Sequence, residues 1–367
     1  SILSDVEALS HCMLIWRSFT HWIGGMGVLV FILCLLPLTG GYHMNLMKAE
    51  SPGPSVSKLV PKVQSTAKIL YTIYIILTIV EIIFLLIGKM PLFDTLCLSF
   101  GTAGTGGFGI KNDSIASYST YNQVVITVFM ILFGINFNAY YLLLTKKVMQ
   151  AAKNEEVRYY LGIIGLAIVA IAINTREMFT SFGRAFQQAA FQVGSIITTT
   201  GYATTDFNVW PVFSKTILVI LMFVGACAGS TGGGIKVSRL LILCKSARKE
   251  LQLYLHPNAV KKIKMDDKAI PHEVVRATNM FLFVYIMIFV TSLLIISLDN
   301  LDMVSNFTAI AATLNNIGPG LGAVGPTGNF NTYSYISKAV MIFDMLAGRL
   351  EVFPLLLLFK RDTWRKF

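Results

Sequence analysis

Apolar runs of two lengths alternate along this 367-residue chain, and the difference between them limits the fold more than any other feature. The long runs lie near Cys12–Leu38, Ile69–Ile87, Gln123–Leu144, Tyr159–Ile173, Ser214–Cys244, Val275–Leu298 and Ser334–Phe359. Most reach the roughly 20 residues that cross a bilayer as a helix. The short ones are Pro91–Phe100, a segment within Phe179–Ile197, and Met303–Leu314. They cannot cross and read as half-helices that enter and turn back. The chain is 54% hydrophobic and only 13% charged, against about a quarter charged in soluble domains. This composition predicts an all-α integral membrane protein.

Each short run ends in a glycine-containing stretch: Phe100–Gly109, Thr198–Ala203 and Asn315–Gly320. Glycine opens backbone conformations closed to other residues. A non-helical, oxygen-rich backbone at membrane depth survives only where it is buried in protein or lines a water-filled path. Such a backbone is what an ion selectivity filter uses. The competing reading, glycine as a helix-packing residue, is weaker because the stretches repeat together with their flanks.

The order of helix, half-helix, Gly-rich loop, helix and basic loop occurs three times. Taking Gly106, Gly201 and Gly318 as equivalent, the spacings are 95 and 117 residues. The longer polar segment Lys245–Arg276 accounts for the difference. An equal step back from Gly106 falls before Ser1, where the sequence has no initiating methionine or leader. The run at Cys12–Leu38 is therefore expected to close a first, incomplete repeat whose own loop lies upstream. The expected units are 1–66, 67–155, 156–270 and 271–367. Twenty of the 30 lysines and arginines fall in the segments that follow the closing helices. By the positive-inside rule those segments are cytoplasmic, and the Gly-rich loops enter from outside. The +11 net charge is thereby assigned to topology, and no nucleic-acid partner is implied. Four such units can surround one central pore.

Five cysteines without paired spacing read as small buried hydrophobes. His11, His21, His43, His256 and His272 lack metal spacing. No Walker loop, H-E-x-x-H or nucleophile elbow occurs, so enzyme activity and an organic cofactor have no support.

Several motifs taken together resemble the TrkH/TrkG branch of the Trk/Ktr/HKT potassium-transporter superfamily. They are Trp16-Arg17-Ser18 with Trp22-Ile23-Gly24-Gly25-Met26-Gly27, Thr105-Gly106-Gly107-Phe108, Thr199-Thr200-Gly201-Tyr202, Gly229-Ser230-Thr231-Gly232-Gly233-Gly234-Ile235-Lys236 and Asn315-Asn316-Ile317-Gly318-Pro319-Gly320. The resemblance covers essentially the whole chain. It implies pseudo-fourfold membrane-pore-membrane repeats with the first incomplete, K⁺ as the transported ion, and a bacterial inner-membrane location. It further implies a homodimer and a cytosolic nucleotide-binding regulatory subunit of TrkA type.

The expected filter residues are Thr102, Ala103, Gly104, Thr105, Gly106 and Gly107, then Thr198, Thr199, Thr200 and Gly201, then Asn315, Asn316, Ile317 and Gly318. A glycine at each filter position resembles the K⁺-selecting members. A second glycine-rich run, Gly225 to Gly234 with Gly229, Ser230, Thr231, Gly232 and Gly233, interrupts a long apolar segment. Each such glycine weakens a helix by about 1 kcal/mol against alanine. From the residues the segment is expected to break here, and a gate and a close-packed interface stand about even; the resemblance implies a gate beneath the filter. Arg349 lies inside the last apolar run, where a cation is costly and functional. The residues leave open an ion pair with Asp344 or Glu351, or snorkelling. The resemblance implies a pore-facing cation that holds the 225–234 loop through its carbonyls. Lys236 and Arg239 read as cytoplasmic-side anchors, Glu81 as a packed or paired acid, and Asn136 and Asn138 as interhelical hydrogen bonders. Competing functions are a secondary transporter of another monovalent cation, an Na⁺- or H⁺-coupled K⁺ symporter, and a non-transporting scaffold. Inverted repeats mark rocking transporters; the three repeats here all run the same way.

Overall fold

The computed structural model describes residues 2–3, 5–27, 63–258 and 262–350. The later half of the first apolar run, most of the loop after it, Glu351 and the basic tail lie outside these residues. The described chain is helical except for one two-stranded hairpin, Lys264–Met265 against Lys268–Ala269. That hairpin is a small departure from a purely helical expectation.

The helices are α1 (His11–Gly25), α2 (Val63–Ile87), α3 (Leu92–Ala103), α4 (Thr120–Phe133), α5 (Phe137–Leu144), α6 (Val148–Ala152), α7 (Glu155–Asn174), α8 (Phe182–Ile197), α9 (Val212–Phe223), α10 (Val237–Leu255), α11 (His272–Ile296), α12 (Met303–Leu314) and α13 (Tyr335–Arg349). Among the described residues three stretches are long and apolar enough to cross a membrane unaided: Thr66–Ile87, Glu155–Asn174 and His272–Asp299. Large aliphatic and aromatic side chains stand exposed along them, including Ile76, Ile83 and Phe84 on α2 and Phe283, Met287 and Leu294 on α11. In water such a surface would be a liability; in a bilayer it is the lipid-facing side.

α3, α8 and α12 are the three half-helices. Each is too short to cross a bilayer, and each is buried on most sides. α3 packs against α1, α2 and α4; α8 against α4, α7 and α9; α12 against α9, α11 and α13. Each half-helix thus packs against the helix before it, the helix after it and a third helix from farther upstream. α8 and α12 carry side-chain caps at their starts, whereas α3 begins after Pro91 without one. Ser181 accepts from Arg184 N–H, and Asp302 Oδ2 accepts from Ser305 N–H at 2.9 Å.

Two long runs are broken. Ser214–Cys244 divides, as the glycines lead one to expect, into α9 and α10 around the 225–234 loop. Gln123–Leu144 corrects the expectation of one continuous span. It breaks at Gly134–Asn136 into α4 and α5, which meet at 91°. The two breaks dock on each other: Cys227 N–H donates to Gly134 O (3.0 Å), Phe137 N–H to Gly229 O (3.0 Å), and Thr231 Oγ1 to Phe133 O (3.2 Å). The orphaned ends of one broken helix are satisfied by the other.

The cap at Asp302 gives a stability test. The side-chain and backbone hydrogen bonds from Ser305 hold its carboxyl below the usual aspartate range. A depressed carboxylate stabilises the fold above its unfolded value of about 3.9 and loses that contribution as pH falls through the folded value. Asp302→Ala should therefore cost about 1 kcal/mol at pH 7 and progressively less below pH 4. Thermal unfolding in detergent at several pH values reads the difference.

Candidate functional site: three half-helix loops above a broken helix

The loops after α3, α8 and α12 share one backbone design. After each helix cap comes a non-glycine residue in the left-handed region: Thr105 (φ 52°), Thr199 (φ 60°) and Asn316 (φ 57°). The next N–H reaches back five residues: Gly106 to Gly101 O (3.1 Å), Thr200 to Ser195 O (2.9 Å) and Ile317 to Ala312 O (2.8 Å). The third position is a positive-φ glycine: Gly107 (72°), Gly201 (81°) and Gly318 (116°).

This register corrects the alignment by one residue in the first loop. Gly107, not Gly106, matches Gly201 and Gly318, and Gly106 matches Thr200 and Ile317. The Gly-Gly pair left two registers open, and the positive φ of Gly107, two residues past left-handed Thr105, separates them. Thr102 and Ala103 are also displaced from the loop proper. They are the last residues of α3, and the Thr102 hydroxyl is spent on Leu98 O (2.9 Å). Gly104, Thr198 and Asn315 are the caps.

The loops lie side by side. A Cβ on Gly107 would stand 2.5 Å from Thr200 O, and one on Gly201 would stand 2.0 Å from Ile317 O. Side chains cannot fit between neighbouring strands, so backbone carbonyls approach closely where the half-helices end. Cross-braces fix them: Tyr202 Oη donates to Leu98 O on α3 (3.1 Å), and Ser195 Oγ to Tyr202 O (2.6 Å). His21 of α1 flanks the first loop, its Nε2 3.0 Å from Gly104 O and its ring against Phe108.

The 225–234 loop lies directly against these cap regions. Thr105 Oγ1 stands 2.7 Å from Thr231 O, and Gly233 N–H donates to Thr199 Oγ1 at 2.6 Å. Gly233 also lies against Asn315, where an added Cβ would come within 2.7 Å of the carbonyl oxygen. One short loop therefore touches all three half-helix ends. Gly225 N–H returns to Ile235 O (2.8 Å), pinching its base.

Three ionic side chains grip this loop. Arg349 donates from Nη1 to Thr231 O (2.8 Å) and from Nη2 to Gly24 O (3.1 Å) and Gly25 O (2.9 Å). It thereby joins the last helix to the first. Asp344 instead accepts from Ser292 Oγ (2.7 Å). Lys236 is not a surface anchor as expected. It is fully buried, and its ammonium donates to Gly232 O. Arg239 stacks on the Phe281 ring, 3.9 Å from its centroid.

The third ionic group, Glu156, sequence reasoning missed. Its Oε1 accepts from Ala228 N–H (2.6 Å) and Ser238 N–H (3.1 Å), and its Oε2 from Asn136 Nδ2 (3.4 Å). Asn136, expected to bond between helices, does so here while its Oδ1 caps α5 by accepting from Asn138 N–H (2.9 Å). Glu81 is packed rather than paired: both carboxylate oxygens are buried without a hydrogen bond, beside Thr102. Among the described residues no group of histidine, cysteine, aspartate and glutamate could hold a metal ion.

Known proteins share this arrangement. The TrkH family of cation transport proteins matches residues 1–365. The Trk system potassium uptake protein TrkH of Vibrio parahaemolyticus is 38% identical over the whole chain and 76% of its own length. The Escherichia coli TrkH is 36% identical over 99% of this chain and 76% of its own, and the Escherichia coli TrkG is 32% identical over all of this chain and 76% of its own. The crystal structure of the potassium transporter TrkH from Vibrio parahaemolyticus superposes with a TM-score of 0.83 at 35% identity, covering 98% of this chain and 75% of that one. These relatives are transporters and not enzymes. The chain belongs to the TrkH family of cation transport proteins.

Proposed function

We propose that this protein carries K⁺ across the bacterial inner membrane through a path lined by the three half-helix loops and closed from below by the 225–234 loop. The observation that carries the reading is the common register of the loops. Three separate parts of the sequence present the same left-handed turn, the same back-bond and the same positive-φ glycine side by side. Potassium must shed water to enter a narrow path, and clustered backbone carbonyls replace that water. The C-terminal ends of α3, α8 and α12 meet there, and their partial negative charge favours a cation. The relatives' potassium uptake names the ion.

The packing of each half-helix between successive closing helices, with Arg349 bridging back to Gly24 and Gly25, supports a ring of pseudo-fourfold units at 1–66, 67–155, 156–270 and 271–367. The first unit's loop would complete the ring beside Gly104 and Gly106. The basic segments then face the cytoplasm. There a TrkA-type regulatory subunit would dock, with a second copy completing a homodimer in the membrane. A membrane potential of 100 mV drives each ion with about 2.3 kcal/mol.

Arg349 and the buried Lys236 place two positive charges around the loop that blocks the exit. They oppose a cation until the loop moves. Arg349→Ala should raise Rb⁺ flux about tenfold, equivalent to roughly 1.4 kcal/mol off the barrier; flux at or below the parent level counts against the barrier.

In proteoliposomes, the full-length protein with its regulator and nucleotide should take up Rb⁺ with little competition from Na⁺. Absence of Rb⁺ flux would sink the reading. Gly201→Ala meets two obstacles, its φ of 81° and a carbonyl 2.0 Å from the new Cβ. A left-handed conformation alone costs a non-glycine residue about 1–2 kcal/mol. Rb⁺ over Na⁺ preference should drop about tenfold, read as the Na⁺ concentration that halves Rb⁺ uptake.

A further inference from the structure

We propose that the Glu156 carboxylate is the latch that holds the 225–234 loop shut, a positioning role that rests on that loop blocking the path. The loop leaves one half of a broken helix and enters the other, so its two ends are the places where it could swing. Glu156 grips both. Ala228 N–H, just past the start of the loop, and Ser238 N–H, at the start of α10, donate to the same carboxylate oxygen. The second oxygen takes Asn136 Nδ2 from the break between α4 and α5. One side chain, 2% exposed, thus ties the loop's entry, its exit and the neighbouring broken helix to a third helix, α7.

The chemistry suits a releasable latch. A carboxylate accepts from several donors at once, and its hydrogen bonds are stronger than neutral ones. Arg349 and Lys236 contact loop carbonyls, Thr231 O and Gly232 O, near its middle. Glu156 contacts N–H groups at its ends. The loop is therefore held through both polarities of its backbone, and loss of the anionic hold frees the ends while the cationic hold remains.

The mounting of Glu156 also reaches the surface. The next residue upstream, Glu155, pairs with Lys245 on α10, and Glu155 N–H donates to Asp266 Oδ1 in the 264–269 hairpin (2.8 Å). Asn154 Nδ2 donates to Asp266 Oδ2 (3.2 Å). The N-terminus of α7 is clasped by the hairpin in the longest polar segment, so a displacement of that hairpin reaches the latch within one turn of helix.

The test uses the full-length protein with Cys12, Cys34, Cys97 and Cys244 replaced, leaving the buried Cys227 in the loop as reporter. Glu156→Gln replaces the charge-assisted bonds from Ala228 N–H and Ser238 N–H with weaker neutral ones and turns an NH₂ toward Asn136 Nδ2, donor against donor. It should raise the rate of Cys227 modification by a water-soluble thiosulfonate, and regulator-free Rb⁺ flux, roughly tenfold each. Adding Asn136→Asp restores an acceptor at 136 and keeps the α5 cap, so the double variant should return both rates toward the parent. Glu177→Gln, exposed at the far end of α7, controls for expression. Parental rates in Glu156→Gln, or no rescue by Asn136→Asp, overturn the latch. Deletion of Gly232–Gly234 separates the two readings. If deletion leaves flux unchanged while Glu156→Gln still speeds thiol modification, the latch stands and the blocking role falls. If deletion raises flux and Glu156→Gln changes neither rate, the latch falls alone.

Discussion

Breaking a helix inside an apolar layer strands backbone donors and acceptors that water cannot reach, and each one left unpaired costs several kcal/mol. Among the described residues two helices are broken, between α4 and α5 and between α9 and α10, and three short helices end in glycine-containing loops. Everything near the site answers that single constraint. The Gly134–Asn136 break and the 225–234 loop exchange hydrogen bonds, and side chains of Thr105, Thr199, Arg349, Lys236 and Glu156 supply the rest. Irregular backbone exists here because polar side chains surround it.

The same constraint explains the ionic groups. Charges buried at membrane depth are expensive unless paired or hydrogen-bonded. Arg349 and Lys236 meet carbonyls and Glu156 meets amides, so each charge is placed against the backbone dipole of opposite sign. Stability of the loop and its position under the half-helix ends are consequently one problem. A residue that holds the loop also fixes where it lies against the half-helix ends.

Much of this was legible in the sequence because hydrophobicity and glycine act locally. The long runs at Ile69–Ile87, Tyr159–Ile173 and Val275–Leu298 are helices, and the three short runs end where the glycine stretches begin. What escaped depends on tertiary partners. Gln123–Leu144 carries one glycine, Gly134, and two asparagines that read as interhelical hydrogen bonders, and its break is completed by Cys227 and Thr231, which donate to it. Gly106 and Gly107 are indistinguishable in a list of residues; the positive φ of Gly107 separates them. Glu156 stands beside Glu155 at the edge of a basic segment and reads as a solvated charge, yet one turns inward to the loop and the other pairs with Lys245. Lys236 misled for the same reason: proximity to a polar segment says nothing about which way a long side chain points.

The central claim is that a dehydrated cation is held by loop carbonyls of the register defined by Thr105, Thr199 and Asn316 and their following residues. Anomalous scattering from crystals of the full-length protein grown with Rb⁺ tests it most directly. The account predicts a peak on the axis between the loops, within coordination distance of carbonyl oxygens of Gly106, Thr200 and Ile317. A peak confined to side-chain carboxylates elsewhere, or no peak between the loops at saturating Rb⁺, would contradict it.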